Sequence, residues 1–162
     1  MRVDSMGKSF SEWVALYEQK TGDEHTCPEG FTTLYDAEKG YAQYRVEGAR
    51  LHIYEACGDG FHWYNVGIKI CRDYGIEAIV TICTRKIKPY LRAMKFKVEK
   101  EIPLPHRHDG YRYEGVNHIG QRFFIFPAWW NEDLQRHAYY VVTFVNEVNK
   151  DEIYFQPANV QE

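Results

Sequence analysis

The chain has 162 residues, 44% of them hydrophobic, and a formal net charge of −3, which predicts one domain over residues 1–162 with a substantial core. The small negative charge leaves no broad basic surface, so duplex DNA or RNA is not an expected partner. No stretch approaches the roughly 18 apolar residues of a membrane span, and residues 1–8 are too polar for a secretory start. We therefore expect a protein that does not work in a membrane.

Cysteine usage and aromatic content add two further expectations. The four cysteines contain no C-x-x-C pair, which argues against a zinc ribbon and favours a reduced, cytoplasmic compartment. They are Cys27, Cys57, Cys71 and Cys83. The 13 Tyr, 9 Phe and 4 Trp are an unusually large aromatic content, so we expect many of them to line the interior or a concave surface.

The first third of the chain predicts a helix followed by an antiparallel meander. Ser9 and Glu12 have the spacing of a capping box, and apolar residues keep helical spacing until Gly22, where the helix is expected to end. Three strands are then predicted, over residues 31–35, 41–46 and 51–56. In the third strand, alternation places Leu51, Ile53 and Glu55 on one face of the sheet.

Residues 58–96 predict a helix that connects two parallel strands. The Gly58-Asp59-Gly60 turn opens a helix with one apolar stripe, formed by Trp63, Val66, Gly67, Ile70, Cys71 and Tyr74. Gly75 is expected to end this helix, and residues 78–83 form an apolar run that suits a strand buried on both faces. Strand, helix and parallel strand together form a right-handed βαβ unit.

The rest of the chain predicts a short helix over residues 87–94 and a half-exposed strand over residues 96–102. Further strands are expected over residues 121–126, 139–145 and 153–155, with one helical turn over residues 131–136. The predicted fold class is therefore α/β, with a mixed, mostly antiparallel sheet, a central βαβ unit and helices on both faces.

The turn at Gly58-Asp59-Gly60 has two interpretations that the sequence leaves open. In the first, its backbone N–H groups and the helix N-terminus form a cradle for a phosphate group. In the second, it is an ordinary connection from strand to helix, with Asp59 as the N-cap residue. Two glycines alone do not distinguish a phosphate site from a tight turn.

The order of these elements over residues 31–102 resembles the GNAT-type N-acetyltransferase superfamily. In that superfamily a splayed strand ends in a glycine turn that binds the pyrophosphate of acetyl-CoA, and a later segment supplies a tyrosine as general acid. Residues 57–60, CGDG, stand at the turn, and residues 84–96, TRKIKPYLRAMKF, stand at the later segment. The resemblance implies a GNAT-like fold and a CoA-dependent N-acyltransferase that moves an acetyl group to an amine of a small molecule or protein. Divergent members of this superfamily are common in phage and prophage genomes.

The resemblance also implies roles for particular residues. Glu55 would act as the general base and Tyr90 as the general acid. Contacts to acetyl-CoA would come from Cys57, Gly58, Asp59, Gly60, Phe61, His62, Thr84 and Arg85. The chain departs from the family pattern, because Asp59 places a negative charge at the turn and Tyr90 stands one position early. These departures favour an alternative, a catalytically inactive GNAT-like protein that binds a ligand or a protein.

Two other groups of residues suggest weaker hypotheses. The basic residues between positions 85 and 100 would suit the phosphates of CoA, those of a nucleic acid, or simply a solvated surface. They are Arg85, Lys86, Lys88, Arg92, Lys95, Lys97 and Lys100. The seven histidines include His106 and His108, but no H-x-x-x-H or H-E-x-x-H pattern is present, so no metal site is expected.

Overall fold

The computed structural model describes residues 7–105 and 108–146, and within them the chain forms three helices and one sheet of eight strands. No helix in this part of the chain is long and apolar enough to cross a membrane. The elements are α1 (Phe10–Thr21), β1 (Thr32–Asp36), β2 (Gly40–Glu47), β3 (Arg50–Gly58), α2 (Gly60–Tyr74), β4 (Ala78–Cys83), α3 (Ile87–Ala93), β5 (Lys97–Leu104), β6 (Gly110–Val116), β7 (Arg122–Asn131) and β8 (Arg136–Phe144).

The strands lie in the order β1-β2-β3-β4-β8-β7-β6-β5. Every neighbouring pair is antiparallel except β3 and β4, which are parallel and are connected through α2. The predicted α/β class with a mixed, mostly antiparallel sheet is therefore confirmed. Because a tight hairpin cannot join parallel strands, α2 is the crossover that the β3–β4 pair requires.

Helix α1 begins and ends as its sequence predicts. Ser9 Oγ accepts a hydrogen bond from the N–H of Glu12, whose carboxylate accepts one from the N–H of Ser9, so both arms of the capping box are present. The helix ends at Gly22, which has φ of 76°. Its buried face packs Trp13 in a small cluster with Tyr41 and Cys57, separate from the main core.

Helix α2 packs against β3 and β4 over the main core. A Cβ at Gly67 would lie 3.3 Å from Ile79, so glycine allows the helix to approach the sheet closely. The predicted stripe is only partly right, because Tyr74 at its end is 77% exposed while Tyr64 and Ile68 are buried. Tyr64 can be buried because its hydroxyl forms hydrogen bonds with Thr143 and Asn117 in the interior.

A β-bulge interrupts the pairing of β2 with β3. The two strands pair up to Ile53 and again from Ala56, so Tyr54 and Glu55 lie opposite the single residue Gln43. A bulge of this kind breaks strict alternation. The prediction that Glu55 shares a face with Ile53 is wrong for this reason: Ile53 packs near α2, whereas Glu55 contacts the loop that follows α1.

The parallel pairing of β3 with β4 covers only part of each strand. It runs from Arg50 opposite Ala78 to Ile53 opposite Thr81. Beyond that point β3 continues to Gly58 and β4 to residue 83, but the two are no longer paired with each other. The strands therefore separate from each other's hydrogen-bonded pairing at the end where Glu55 lies.

The C-terminal third is a meander rather than strands with a helical turn between them. β6, for which no strand was predicted, pairs with β5 and β7. The predicted helical turn over residues 131–136 is wrong, because β7 pairs with β8 as far as Asn131 opposite Arg136. The connection between them is a tight turn in which Asn131 Oδ1 accepts from Leu134 N–H and Gln135 has φ of 52°. The strand predicted over residues 153–155 lies outside the described residues.

Candidate functional site

A buried carboxylate marks the end of β3 that is separated from β4. Glu55 is only 3% exposed, and its Oε2 accepts a hydrogen bond of 2.5 Å from the hydroxyl of Tyr41. The same oxygen contacts Nδ1 of His25, and Oε1 accepts from the N–H of Thr26 at 3.4 Å. Burying a carboxylate is costly unless donors surround it, and three donors from β2 and from the loop after α1 meet that requirement here.

The loop after α1 fixes the position of His25. Its backbone N–H donates to the Glu18 carboxylate at 2.8 Å, and its ring packs edge-on against Phe10 and Tyr41 with centroids 5.8 and 5.5 Å away. The side chain is 21% exposed, and its Nε2 bonds to no other residue in the described part of the chain. With Glu55 accepting at Nδ1, a neutral ring carries its proton on Nδ1 and leaves Nε2 as an acceptor.

Two tyrosines beside this carboxylate are held in their protonated form. Burial raises the pKa of Tyr41, and the hydrogen bond to Glu55 raises it further. Burial also raises the pKa of Tyr17 to about 12, with the negative charge of Glu55 as the second cause. At neutral pH both hydroxyls are therefore donors, and Tyr41 directs its proton at Glu55.

The Gly58-Asp59-Gly60 turn is held by the preceding hairpin. Gly58 has φ of 101°, and a Cβ there would lie 2.2 Å from the carbonyl oxygen of Lys39, so the backbone contact alone requires glycine. Asp59 is the N-cap of α2: its carboxylate accepts from the N–H of His62 at 3.0 Å, and that bond holds the pKa of Asp59 below its usual range. Of the two interpretations of this turn, the N-cap geometry is confirmed.

The helix N-terminus still offers donors and nearby positive charge. The N–H groups of Gly60 and Phe61 lie in the first turn of α2 and bond to no acceptor within the described residues. Lys39 Nζ lies 3.5 Å from the Asp59 carboxylate, and Lys95 Nζ lies 4.6 Å from the centre of the Phe61 ring. The N-terminus of α2 thus combines one capping carboxylate with two lysines.

The remaining predicted residues lie apart from the Glu55 cluster. Cys57 is buried, its thiol donates to the Trp13 carbonyl, and burial raises its pKa, which makes it a poor nucleophile. Tyr90 is half-buried against Phe96, and burial raises its pKa too. The predicted acid Tyr90 is not among the contacts of the predicted base Glu55.

The other predicted cofactor contacts are at or near the surface. Thr84 and Arg85 are exposed after β4, and the Thr84 carbonyl accepts from Arg136. His62 is half-buried and packs against Trp63 with centroids 4.6 Å apart. These residues surround the end of the sheet at which β3 and β4 separate, but they do not share a hydrogen-bonded network with Glu55.

The basic segment is partly neutralised by its own neighbours. Lys88 pairs with Glu101 at 2.6 Å, whereas Glu99 pairs with Arg122, which lies outside the segment. Of the histidines considered for a metal, His106 lies outside the described residues and His108 stacks on Trp130 with centroids 3.9 Å apart. Within the described residues, no three His, Cys, Asp or Glu side chains converge on a metal position.

An apolar cavity of about 460 Å³ lies elsewhere, between the C-terminal end of α2 and the β2–β3 turn. It is lined by Val46, Gly48, Ala49, Ile70, Tyr74, Gly75 and Ile76. None of these residues belongs to the predicted site, and the lining has no titratable group apart from the phenol of Tyr74. The cavity is therefore separate from the predicted site residues.

Sequence reasoning identified Glu55 but missed His25 and Tyr41. No spacing pattern connects the three, because they come from a loop, a strand and the strand after it. No local signal marks the two partners, since a buried carboxylate takes its donors from wherever the fold supplies them. Comparisons with protein-family models, curated proteins and solved structures find no match for this chain.

Proposed function

We propose that the chain is a CoA-dependent N-acyltransferase of the GNAT type, which moves an acetyl group from acetyl-CoA to an amine of a small molecule or protein. The observation that carries this proposal is the separation of β3 from β4 after Ile53, directly before the buried Glu55 and the glycine turn. The superfamily that the sequence resembles uses a splayed strand of this kind to admit the acetyl-CoA arm.

The separated strands supply a suitable place for an extended ligand. Backbone groups of β3 that face β4 beyond Ile53 have no partner on that strand, so an amide-bearing arm could bond to them as a neighbouring strand would. At the end of that gap the N–H groups of Gly60 and Phe61 lie at the positive end of α2. Lys39 and Lys95 would balance the charge of a pyrophosphate there.

The packing of the helices supports the same proposal. α1 belongs to the cluster of Trp13, Tyr41 and Cys57, and α2 belongs to the main core with Ile53 and Ile79. The bulge at residues 54 and 55 lets one strand supply both clusters from opposite sides. A sheet with a central βαβ unit and helices on both faces, as in the GNAT type, is the arrangement that we propose.

Reactant positioning would supply most of the rate enhancement. The thioester is already activated, so an amine held beside it reacts once its nitrogen is unprotonated. Glu55 is a buried carboxylate, and its negative charge would stabilise the proton that the amine gives up. Tyr90 packs against Phe96 and the main core, and its role as a general acid toward the CoA sulfur stays a prediction.

A second candidate is a non-catalytic GNAT-like binding protein, and the capping carboxylate of Asp59 favours it. A negative charge on the first turn of α2 repels phosphates and already occupies the N–H of His62. The two candidates differ in one measurable property, which is the affinity of the protein for acetyl-CoA.

Isothermal titration calorimetry with acetyl-CoA tests the proposal. We expect binding by the wild type, and weaker binding by at least tenfold in Lys95→Glu, because this charge lies at the proposed pyrophosphate position. Lys100→Glu is the matched control, since Lys100 is exposed on β5, where it lies opposite Glu114 of β6. Absence of binding at millimolar acetyl-CoA would leave only the non-catalytic candidate.

A further inference from the structure

We infer that His25, held by Glu55, is the residue that takes the proton from the incoming amine, and that Glu55 acts through it. This inference rests on the proposed function and assigns the acceptor end of the same site. It concerns a loop residue after α1 that no sequence pattern marks and that the structure places against the buried carboxylate.

Glu55 is too enclosed to meet a substrate directly. Its side chain is 2% exposed, and its two oxygens already receive the Tyr41 hydroxyl, the His25 ring and the Thr26 N–H. An amine that approached Glu55 would have to displace one of these donors. The carboxylate is therefore placed to orient a base rather than to be one, as the buried acid does in a hydrolase triad.

His25 is the titratable side chain of the cluster that is partly exposed. Its ring is 21% exposed, and with Nδ1 against Glu55 the free nitrogen is Nε2. The rings of Phe10 and Tyr41 hold the imidazole edge-on, so its orientation is fixed before a substrate arrives. Aromatic rings beside a buried carboxylate also attract a cation, which is the form of a primary alkylamine in water.

The proposed step begins with a primary ammonium substrate. Nε2 of His25 takes one of its protons, and the resulting imidazolium is stabilised by Glu55. The free amine forms a C–N bond to the thioester carbonyl carbon, and the C–S bond breaks with its electron pair on the CoA sulfur. The second nitrogen proton goes to that sulfur, which gives an amide and CoA thiol, and His25 then releases its proton to water.

Replacement of His25 tests the assignment on the full-length protein. In His25→Ala we expect kcat for acetyl transfer to fall by about 100-fold or more, with acetyl-CoA affinity unchanged, because only the proton acceptor is lost. Added imidazole should restore part of the lost turnover. His52→Ala is the control, since His52 is a half-buried β3 histidine that does not contact Glu55 and should leave turnover unchanged.

The outcomes separate this inference from the proposed function. A wild type that transfers acetyl groups, together with a His25→Ala variant of equal kcat, overturns the role of His25 and leaves the transferase in place. A wild type that neither binds acetyl-CoA nor transfers its acetyl group overturns the proposed function, and the role of His25 in acyl transfer falls with it.

A second readout needs no substrate. In a protein labelled with ¹⁵N-histidine, long-range ¹H–¹⁵N spectra assign the tautomer of each neutral ring. We expect His25 to carry its proton on Nδ1, with an unprotonated Nε2, because Glu55 accepts at Nδ1. A proton on Nε2 would overturn the inference, since that nitrogen could not then accept a proton from an amine.

Discussion

The two halves of β3 are built differently, although they are one strand. The first half, residues 50–53, pairs with β4 in parallel and packs Leu51 and Ile53 beneath Gly67 of α2. The second half, residues 54–58, pairs only with β2 and carries a buried carboxylate and a strained glycine. The first half contributes two buried apolar side chains to the core, and the second half holds the groups to which we assign chemistry.

The bulge explains how a single strand serves both purposes. One extra residue opposite Gln43 turns Glu55 away from the α2 side and toward His25 and Tyr41. Without that residue, alternation would point Glu55 toward the α2 side, into the main core with Ile53. The bulge and the three donors are therefore parts of one arrangement.

Replacement of the glycine at the end of the second half should have the largest effect on folding. Gly58→Ala would place a Cβ 2.2 Å from the Lys39 carbonyl at φ of 101°, so we expect the free energy of unfolding to fall by about 3 kcal/mol or more in urea titration. Gly60→Ala is the control, because its nearest neighbour would be Met94 Sδ at 3.9 Å. Equal losses in both variants would contradict the view that Gly58 is required by its backbone.

The next largest effect is on stability, and it comes from replacing one side chain in each half of β3. Leu51→Ala removes a side chain that is 1% exposed, and we expect a loss of about 3 kcal/mol in the free energy of unfolding. Tyr54→Ala removes one that is 56% exposed and should cost less than about 1 kcal/mol. If both variants lose similar stability by urea titration, the two halves do not differ in the way described.

A smaller effect is expected at Asp59, in the turn that follows β3. Asp59→Ala removes the N-cap of α2 and should cost about 1 kcal/mol, whereas Asp59→Asn keeps a capping oxygen and should be nearly neutral. Because Asp59→Asn removes the negative charge beside Gly60, we also expect it to bind acetyl-CoA more tightly than the wild type. Weaker binding by Asp59→Asn would show that the carboxylate itself supports the ligand.

Local signals predicted most of the first half and the elements on either side of it. The capping box at Ser9, the glycine at position 75 and the strand of β4 each depend on neighbours in sequence, and each prediction is confirmed. Burial of β4 on both faces holds only for residues 78–80, because Ile82 is 41% exposed. Tyr74 was misplaced because a helical stripe does not show which of its edges the sheet will cover. The helix predicted over residues 131–136 is wrong because the pairing of β7 with β8, which is not local in sequence, makes this segment a hairpin turn.

The candidate site was predictable only in part. The family resemblance and the position before the glycine turn indicated Glu55, but its partners are 30 and 14 residues away and follow no repeat. A bulge has no clear sequence signature, so the face of Glu55 could not be read from alternation. Long-range donors for a buried charge have to be found in the fold itself.

The smallest expected effect tests whether Glu55 acts electrostatically on its neighbours. Burial and the charge of Glu55 raise the pKa of Tyr17 from 10.0 to about 12. The folded state therefore holds the phenol proton more tightly than the unfolded state does. This stabilisation is complete below about pH 10 and is lost as the pH rises toward 12.

Urea titrations between pH 9 and 12 measure that loss. In Tyr17→Phe the free energy of unfolding should fall less steeply with pH than in the wild type, while Val14→Ala, in the same cluster, should lower stability and keep the wild-type slope. Glu55→Gln should flatten the slope by less than Tyr17→Phe, because burial is the larger cause of the raised pKa. An unchanged slope in Glu55→Gln would mean that the charge of Glu55 does not raise the pKa of Tyr17. It would contradict the view that Glu55 acts electrostatically on its neighbours.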